Sequence, residues 1–213
     1  MSIPKIIHYC WFGGGAISPE NRKCMESWKK YCPDYKIIEW NEQNFDIGTN
    51  RYAQQAYEAK KYAFVSDYVR LAVLYEYGGI YLDTDVELVR PLDELLELPG
   101  FMGFQNNNEV ATGLGFGARK GNPVVQALLR DYDALDFLKA DGSVDLTPCP
   151  ERSTKVLQAL GVRKDGTRQS IAEMEIFPAE YFCPMAVPTR ELRVTPKTYS
   201  IHRYAESWKP KPS

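Results

Sequence analysis

Hydrophobic and polar residues follow one another in blocks along the chain, and the blocks predict strands and helices in turn. The apolar run IPKIIHYCWF (residues 3–12) predicts a first strand, and YKIIEW (35–40) predicts a second. Between them, Ser18 and Pro19 are typical of a helix start, and this helix is expected to extend to about Tyr31. Because strands alternate with helices here, the sequence predicts an α/β fold with a mostly parallel central sheet flanked by helices.

A longer block, residues 52–77, predicts one long helix that ends at the glycine pair Gly78-Gly79. Its second half, AFVSDYVRLAVLY (63–75), is apolar on nearly all sides, which is typical of a buried helix. A strand at 80–82 follows directly. The sequence therefore places a buried helix next to a core strand in the middle of the chain.

Beyond residue 85 the pattern predicts shorter elements. They are a strand through Leu88 and Val89, a short helix at 91–98, strands at 100–105 and 114–119, helices at 122–140 and 151–160, a strand at 172–177, and a last strand and polar turn in 198–213. Residues 105–123 are expected to line the acceptor side of a cleft. The asparagines at 106–108 suit sugar hydroxyls, and they equally suit a turn.

Two carboxylates, Asp83 and Asp85, stand one residue apart directly after the strand at 80–82. If the strand stays regular, both side chains lie on the same face. Like charges held so close repel unless a cation or a shared proton lies between them, so the pair predicts a metal, a catalytic dyad or a solvated turn. Ligands of α/β sheets bind at the carboxyl ends of strands, and hard oxygen ligands there suit Mg²⁺ or Mn²⁺.

Two charged residues, Asp67 and Arg70, lie within the apolar helix, three positions apart and so on one face. Buried charges need partners. One interpretation is that they pair with each other. The other is that both point into a polar cleft beside Asp83, where the carboxylate accepts sugar or ribose hydroxyls and the guanidinium holds a diphosphate or a hydroxyl.

The composition narrows the class of protein. The chain has 213 residues, which indicates a single domain, and a net charge of −2 with no basic run, which argues against nucleic acid as partner. No apolar stretch is long enough to span a bilayer, and the first residues are typical of a strand and not of a signal peptide. Five cysteines without a CxxC pair indicate reduced thiols in a cytoplasmic protein, and of the two histidines we expect His8 to be structural.

Three segments together carry a resemblance: IPKIIHYCWFGG (3–14), AFVSDYVRLAVLYEYGGIYLDTDVEL (63–88) and HRYAESW (202–208). They resemble glycosyltransferase family 32, the DXD-containing sugar transferases. That family includes bacterial capsular-polysaccharide and lipooligosaccharide transferases and yeast α-mannosyltransferases, and the catalytic domains of the clostridial glucosylating toxins share the same motifs. The resemblance is strongest over residues 3–90.

The resemblance implies a GT-A type, Rossmann-like single domain over residues 1–213. Residues 1–90 would form the nucleotide-sugar half, and 91–213 the acceptor half and a closing tail. It implies Mn²⁺ or Mg²⁺, a nucleotide-sugar donor, with UDP-sugars favoured over GDP-mannose, and transfer of a hexose with retention. The acceptor would be a saccharide or a lipid-linked oligosaccharide in surface or capsular polysaccharide synthesis, and any membrane contact would be peripheral.

The same resemblance implies roles for residues of the nucleotide-sugar site. Trp11 would stack on the base and Asn44 would contact it. Tyr81 would line the nucleotide site, while Asp67 and Arg70 would contact hydroxyls of the donor sugar and ribose.

Around the metal, Asp85 would be the direct ligand, and Asp83 would bridge the ribose and the metal's ligand shell. His202 would be a second ligand. Ser207 and Trp208 would belong to a closing segment that reaches the metal and the diphosphate. Together with Asp67 and Arg70, the two aspartates of the DXD motif form the expected catalytic set.

Two other functions remain open on the sequence. The first motif of haloacid-dehalogenase-type phosphatases matches residues 83–86, and it would make Asp83 a nucleophile and Asp85 an acid and base. That fold also needs a late acidic pair, for which Asp141 and Asp145 are a poor substitute. The other is a non-catalytic protein that binds nucleotide sugars.

Overall fold

Helices and a large mixed sheet make up the part of the chain that the structure, a computed structural model, describes, residues 2–186 and 189–205. The described helices are α1 Pro19–Tyr31, α2 Arg51–Glu58, α3 Tyr62–Tyr77, α4 Pro123–Asp133, α5 Cys149–Ala159 and α6 Ala179–Phe182. The described strands are β1 Ile6–Cys10, β2 Lys36–Trp40, β3 Gly79–Tyr81, β4 Val86–Leu88, β5 Gly100–Phe104, β6 Val110–Ala111, β7 Phe116–Ala118, β8 Gln169–Ile171, β9 Met174–Phe177 and β10 Ser200–His202. Short 3₁₀ turns occupy Ile47–Thr49 and Asp93–Glu97.

The strand order of the large sheet is β2-β1-β3-β7-β5-β9-β8, and β6 pairs with β5. β1 runs parallel to β2 and β3, and β5 runs parallel to β9. The other described pairs in this sheet are antiparallel. The predicted α/β class is confirmed, but the sheet is mixed. Strands β5, β6 and β7 follow one another without a crossover helix, and strands joined by short loops pair antiparallel.

Two hydrophobic clusters cover opposite faces of the sheet. Successive residues of β1 and β3 alternate between them, so that Ile80 packs in one cluster and Tyr81 in the other. One cluster packs α2 to α5 on the sheet, and the other packs α1 on it. Helix α1 begins as predicted, with the Ser18 side chain accepting from the Asn21 N–H, and its buried Trp28 donates to the Val86 carbonyl of β4 at 2.7 Å.

The single long helix predicted over 52–77 is wrong. The chain breaks it into α2 and α3, and Lys60 between them has a left-handed φ of 58°. The Lys61 N–H donates to the Ala56 carbonyl at 2.8 Å, the bond that closes a Schellman-type helix end. This end normally carries glycine at the left-handed position, and a lysine there leaves no signal in the sequence.

The predicted helix over 122–140 is also shorter in the structure. Helix α4 ends at Asp133, and an antiparallel bridge joins Leu138 and Val144 across a turn. The Asp141 carboxylate accepts from the Ser143 N–H and hydroxyl, so this acidic residue closes the turn. The polar residues at 141–143 form a turn and do not continue the helix.

The acidic pair lies in a turn between two strands. β3 ends at Tyr81, and the Val86 N–H donates to the Asp83 carbonyl at 3.0 Å as the chain turns into β4. β4 then pairs antiparallel with β10, with His202 opposite Val86. This pairing brings the end of the described chain beside the acidic turn.

Candidate functional site

Three side chains that bind cations readily converge at the acidic turn. One ligand atom from each of Asp83, Asp85 and His202 can be chosen so that all lie within 4.8 Å of one another. The His202 Nε2 atom is 3.2 Å from Asp85 Oδ1. Carboxylate oxygens and an imidazole nitrogen are suitable ligands for Mn²⁺, and the oxygens for Mg²⁺. The donor set therefore fits the divalent cation that the sequence predicts.

Asp83 is held from three directions. Its Oδ1 atom accepts from Arg70 Nη2 and from the Tyr81 hydroxyl, each at 3.1 Å. Its backbone N–H donates to the Gly113 carbonyl at 3.0 Å, and its Oδ2 atom occupies the space where a Cβ on Gly113 would lie. Burial raises the pKa of Asp83, and the charge of Arg70 opposes that shift.

Asp85 is held by the end of the described chain. Besides its contact with His202, its Oδ2 atom accepts from the Ala205 N–H at 2.9 Å, and its carbonyl accepts from the Arg203 N–H at 2.9 Å. Burial acts to raise the pKa of Asp85, but the hydrogen bond and charge of His202 outweigh it and lower that pKa. In return, Asp85 raises the pKa of His202 against the effect of burial. Both shifts favour an ion pair between the two side chains.

Asp67 and Arg70 pair with each other and also lie beside Asp83. Arg70 Nη2 lies 3.1 Å from Asp67 Oδ1 and also contacts Asp83, so the helix pair faces the acidic turn. Both residues are buried. Burial raises the pKa of Asp67 to about 6, so its carboxylate is largely ionised at pH 7. The structure thus brings together Asp67, Arg70, Tyr81 and Asp83.

Trp11 and Asn44 each make a hydrogen bond to a carbonyl close to them in the chain. Trp11, at the carboxyl end of β1, is partly exposed and donates from Nε1 to the Gly15 carbonyl at 2.5 Å. Asn44 closes its own loop by donating to the Glu39 carbonyl at 2.7 Å. It lines a groove of about 290 Å³ with Trp40 and Tyr77, so the structure does not place it at the acidic turn. Ser207 and Trp208 lie outside the described residues.

Residues that the sequence did not single out complete the site. Arg70 Nη1 donates to Thr112 Oγ1 at 3.3 Å and contacts Cys149 Sγ at 3.8 Å. Gly113 makes room for Asp83. Thr112 and Gly113 belong to the segment expected on the acceptor side, and the structure puts them against the acidic turn and Arg70. In the sequence these two residues are only a Thr-Gly pair among several glycines, and that pattern is too weak to identify them as site residues without the fold.

The asparagine run in the same segment forms a turn. The side-chain oxygen of Asn106 accepts from the backbone N–H groups of Asn108 and Glu109, at 2.8 and 2.9 Å. That is the arrangement of an Asx turn. The contacts of Asn106 therefore support the structural interpretation of this run.

Comparisons with known proteins agree with this geometry. The family described as "Glycosyltransferase sugar-binding region containing DXD motif" matches residues 18–101. The chain is 30% identical over 151 residues to inositol phosphoceramide mannosyltransferase 3 of Schizosaccharomyces pombe, covering 64% of this chain and 39% of that protein. It is 33% identical over 111 residues to mannosyl phosphorylinositol ceramide synthase SUR1 of Saccharomyces cerevisiae, covering 47% of this chain and 27% of that protein.

A solved structure shows the same fold. The PaToxG glycosyltransferase superimposes with a TM-score of 0.54 at 22% identity, covering 74% of this chain and 69% of that chain. The fold is therefore the α/β fold of GT-A glycosyltransferases. Residues 18–101, which match the DXD-containing glycosyltransferase family, include the acidic turn. The chain spans well under half the length of the two curated relatives.

A helix can cross a membrane only if it is long enough and sufficiently apolar. Of the helices in the described ranges, none combines the length and the apolar character needed to cross a bilayer.

Proposed function

We propose that the chain is a metal-dependent glycosyltransferase that moves a hexose from a nucleotide sugar to a saccharide or glycolipid acceptor. The observation that carries this proposal is the convergence of Asp83, Asp85 and His202 beside the buried Asp67–Arg70 pair. This convergence joins a DXD turn, which lies within the family match, to a histidine far along the chain.

In this proposal Asp85 and His202 would hold the cation directly, and Asp83 would complete the site. His202 would offer Nε2 to the cation in its neutral form. The Ala205 N–H keeps the Asp85 carboxylate oriented. A bound Mn²⁺ or Mg²⁺ supplies Lewis-acid stabilisation of the negative charge on the leaving diphosphate.

The remaining residues bind the donor. Asp67 accepts hydrogen bonds from hydroxyls of the donor sugar, which its ionised carboxylate does well in a buried site. Trp11 offers a partly exposed aromatic ring to the base, Tyr81 lines the nucleotide site, and Ser207 and Trp208 belong to a segment that closes over the diphosphate. We propose that residues 1–213 do this as one domain.

Retention of configuration is proposed through attack on the same face. The acceptor hydroxyl bonds to the anomeric carbon as the bond from that carbon to the diphosphate oxygen breaks, and the leaving phosphate takes the hydroxyl proton. Asp67 and Asp83 are both held by Arg70, and Asp85 by His202 and Ala205. In the described ranges, the carboxylates of the site are thus engaged by cations or N–H groups and poorly placed as nucleophiles.

The names of the curated relatives support a mannosyl donor and a glycolipid acceptor, since both describe mannosyl transfer involving inositol phosphoceramide. The sequence alone favoured UDP-sugars. GDP-mannose is therefore tested beside the UDP-hexoses.

A cytoplasmic location, peripheral membrane contact and a role in surface polysaccharide synthesis complete the proposal. The family match and fold favour it over the phosphatase alternative.

The test measures release of nucleoside diphosphate from GDP-mannose, UDP-glucose, UDP-galactose and UDP-N-acetylglucosamine, each with Mn²⁺, Mg²⁺ or chelator. Release from one donor, dependent on metal and increased by a glycolipid or saccharide acceptor, is expected. Asp85→Asn is expected to lower the rate on the order of 100-fold or more. The substitution weakens the binding of the cation that stabilises the leaving group. Metal-dependent donor binding without release under any condition would instead identify a non-catalytic binding protein.

A further inference from the structure

Every nitrogen of the Arg70 guanidinium is engaged by the protein itself. Nε donates to the Ser66 carbonyl at 3.2 Å. Nη2 donates to Asp83 and lies 3.1 Å from Asp67. Nη1 contacts Thr112 at 3.3 Å and Cys149 at 3.8 Å. These contacts, one at Nε and two at each Nη, match the five N–H bonds that a guanidinium has.

The flat face of the guanidinium is covered as well. The Arg70 Cζ atom lies 4.8 Å from the centre of the Tyr81 ring, a cation–π distance. The side chain is only 7% exposed. A donor hydroxyl that approached Arg70 would have to displace a protein contact that is already made.

Thr112 and Cys149 support the side of Arg70 that faces away from the carboxylates. Thr112 follows β6, Cys149 begins α5, and the Oγ1 and Sγ atoms of these buried residues lie 3.1 Å apart. Both meet the same nitrogen, Nη1. Loss of either contact would remove one of the two side chains that hold Nη1.

We propose that Arg70 is a positioning residue that sets the separation of Asp67 and Asp83, and that Thr112 and Cys149 position Arg70. The inference rests on the proposed function, and it adds a positioning role to the donor contact that the resemblance implies for Arg70. Because one nitrogen of Arg70 contacts both carboxylates, its position fixes the sugar-binding carboxylate relative to the cation site. A positioning role therefore affects cation binding even when no donor is present.

The test measures Mn²⁺ affinity without nucleotide, by electron paramagnetic resonance of free Mn²⁺, together with kcat and the Kd of the donor. Arg70→Lys, Thr112→Val and Cys149→Ala are each expected to weaken Mn²⁺ binding roughly tenfold, the effect of losing one hydrogen bond to a charged group. Cys149→Ser keeps a side-chain acceptor and is expected to stay close to the wild type. Melting temperatures show which variants are folded.

The matched control is Thr154→Val. Thr154 is buried like Thr112, and its hydroxyl accepts at 2.9 Å from the Val110 N–H of β6, the strand that Thr112 follows. Mn²⁺ affinity equal to the wild type in the folded Arg70, Thr112 and Cys149→Ala variants would overturn the inference, as would an equal loss in Thr154→Val. Wild-type protein that binds no Mn²⁺ would overturn the proposed function instead.

Discussion

Gly113 shows how one absent side chain decides the shape of the site. A Cβ at this position would overlap Asp83 Oδ2 and come within 3.4 Å of Arg70 Nη1. Gly113→Ala is therefore expected to displace the Asp83 carboxylate and to lower transfer on the order of 100-fold, the usual cost of misplacing a reacting group by about an ångström. Initial rates at saturating donor and metal measure this.

The control for that substitution is Gly15→Ala. An added Cβ on Gly15 meets nothing within 4 Å, and its carbonyl, which accepts from Trp11, is kept. If Gly15→Ala and Gly113→Ala lost activity equally, or if Gly113→Ala were fully active, the space beside Asp83 would not be what the site requires.

His8 is a buried neutral histidine whose two ring nitrogens both have partners. Trp40 Nε1 donates to Nδ1 at 3.0 Å, and Nε2 lies 2.8 Å from the Gly78 carbonyl, so the tautomer protonated on Nε2 satisfies both contacts. Burial lowers the pKa of His8 to about 4, with a smaller contribution from Lys36. The expectation of a structural role is supported by these contacts.

This pKa predicts a loss of stability in mild acid. The unfolded chain binds a proton at His8 near pH 6.5 and the folded chain only near pH 4, so stability falls as the pH drops between these values. The wild type should lose about 2 kcal/mol from His8 alone between pH 7 and pH 5. Urea unfolding at both pH values should show a correspondingly smaller drop in His8→Gln, and an equal drop in the two proteins would contradict the prediction.

At the residue scale, the positions of charged residues within apolar runs of the sequence identified the side chains that act through charge. Asp67 with Arg70 and Asp83 with Asp85 stand out because charges in apolar runs need a reason. Thr112 and Cys149 carry no charge, and threonine and cysteine are ordinary in a core. Their contact with Arg70 depends on where β6 and α5 pack, which no local pattern in the sequence records.

At the scale of elements, the break between α2 and α3 gives a stability prediction. Lys60 adopts a left-handed conformation that costs a non-glycine residue roughly 1 kcal/mol. Lys60→Gly should therefore stabilise the fold by about 0.5–1 kcal/mol, and Lys60→Ala should leave it unchanged. Urea unfolding midpoints at pH 7 measure both, and a Lys60→Gly protein no more stable than Lys60→Ala would refute the assignment of this helix end.

The local sequence pattern predicted the helices and strands better than it predicted which strands pair with each other. The start of α1 at Ser18 and the end of α3 at Gly78 followed from capping residues. The antiparallel pairing of β4 with β10 joins distant segments, and short strands carry too little pattern to select a partner. A place for His202 beside the acidic pair was therefore expected only by resemblance, and the pairing of β4 with β10 puts it there.

At the scale of the whole molecule, the site should couple ligand binding to the stability of the fold. A nucleotide with Mn²⁺ that binds only the folded chain at 100 times its Kd adds about 2.7 kcal/mol, which for a domain of this size raises the Tm by roughly 5–10 °C. UDP and GDP, each with and without Mn²⁺, test this by thermal unfolding. Asp85→Asn should lose the metal-dependent part of the shift, and a shift independent of both metal and Asp85 would contradict the proposed site.

The pairing of β4 with β10 also bears on how the protein is made. The ribosome completes every strand of the large sheet before it adds the residues of β10. A nascent chain halted before His202 could thus form that sheet while the acidic turn still lacked its histidine and the Ala205 N–H. A cation site at this turn would then be complete only after residues 202–205 are added, so chains terminated before His202 would not take up metal there.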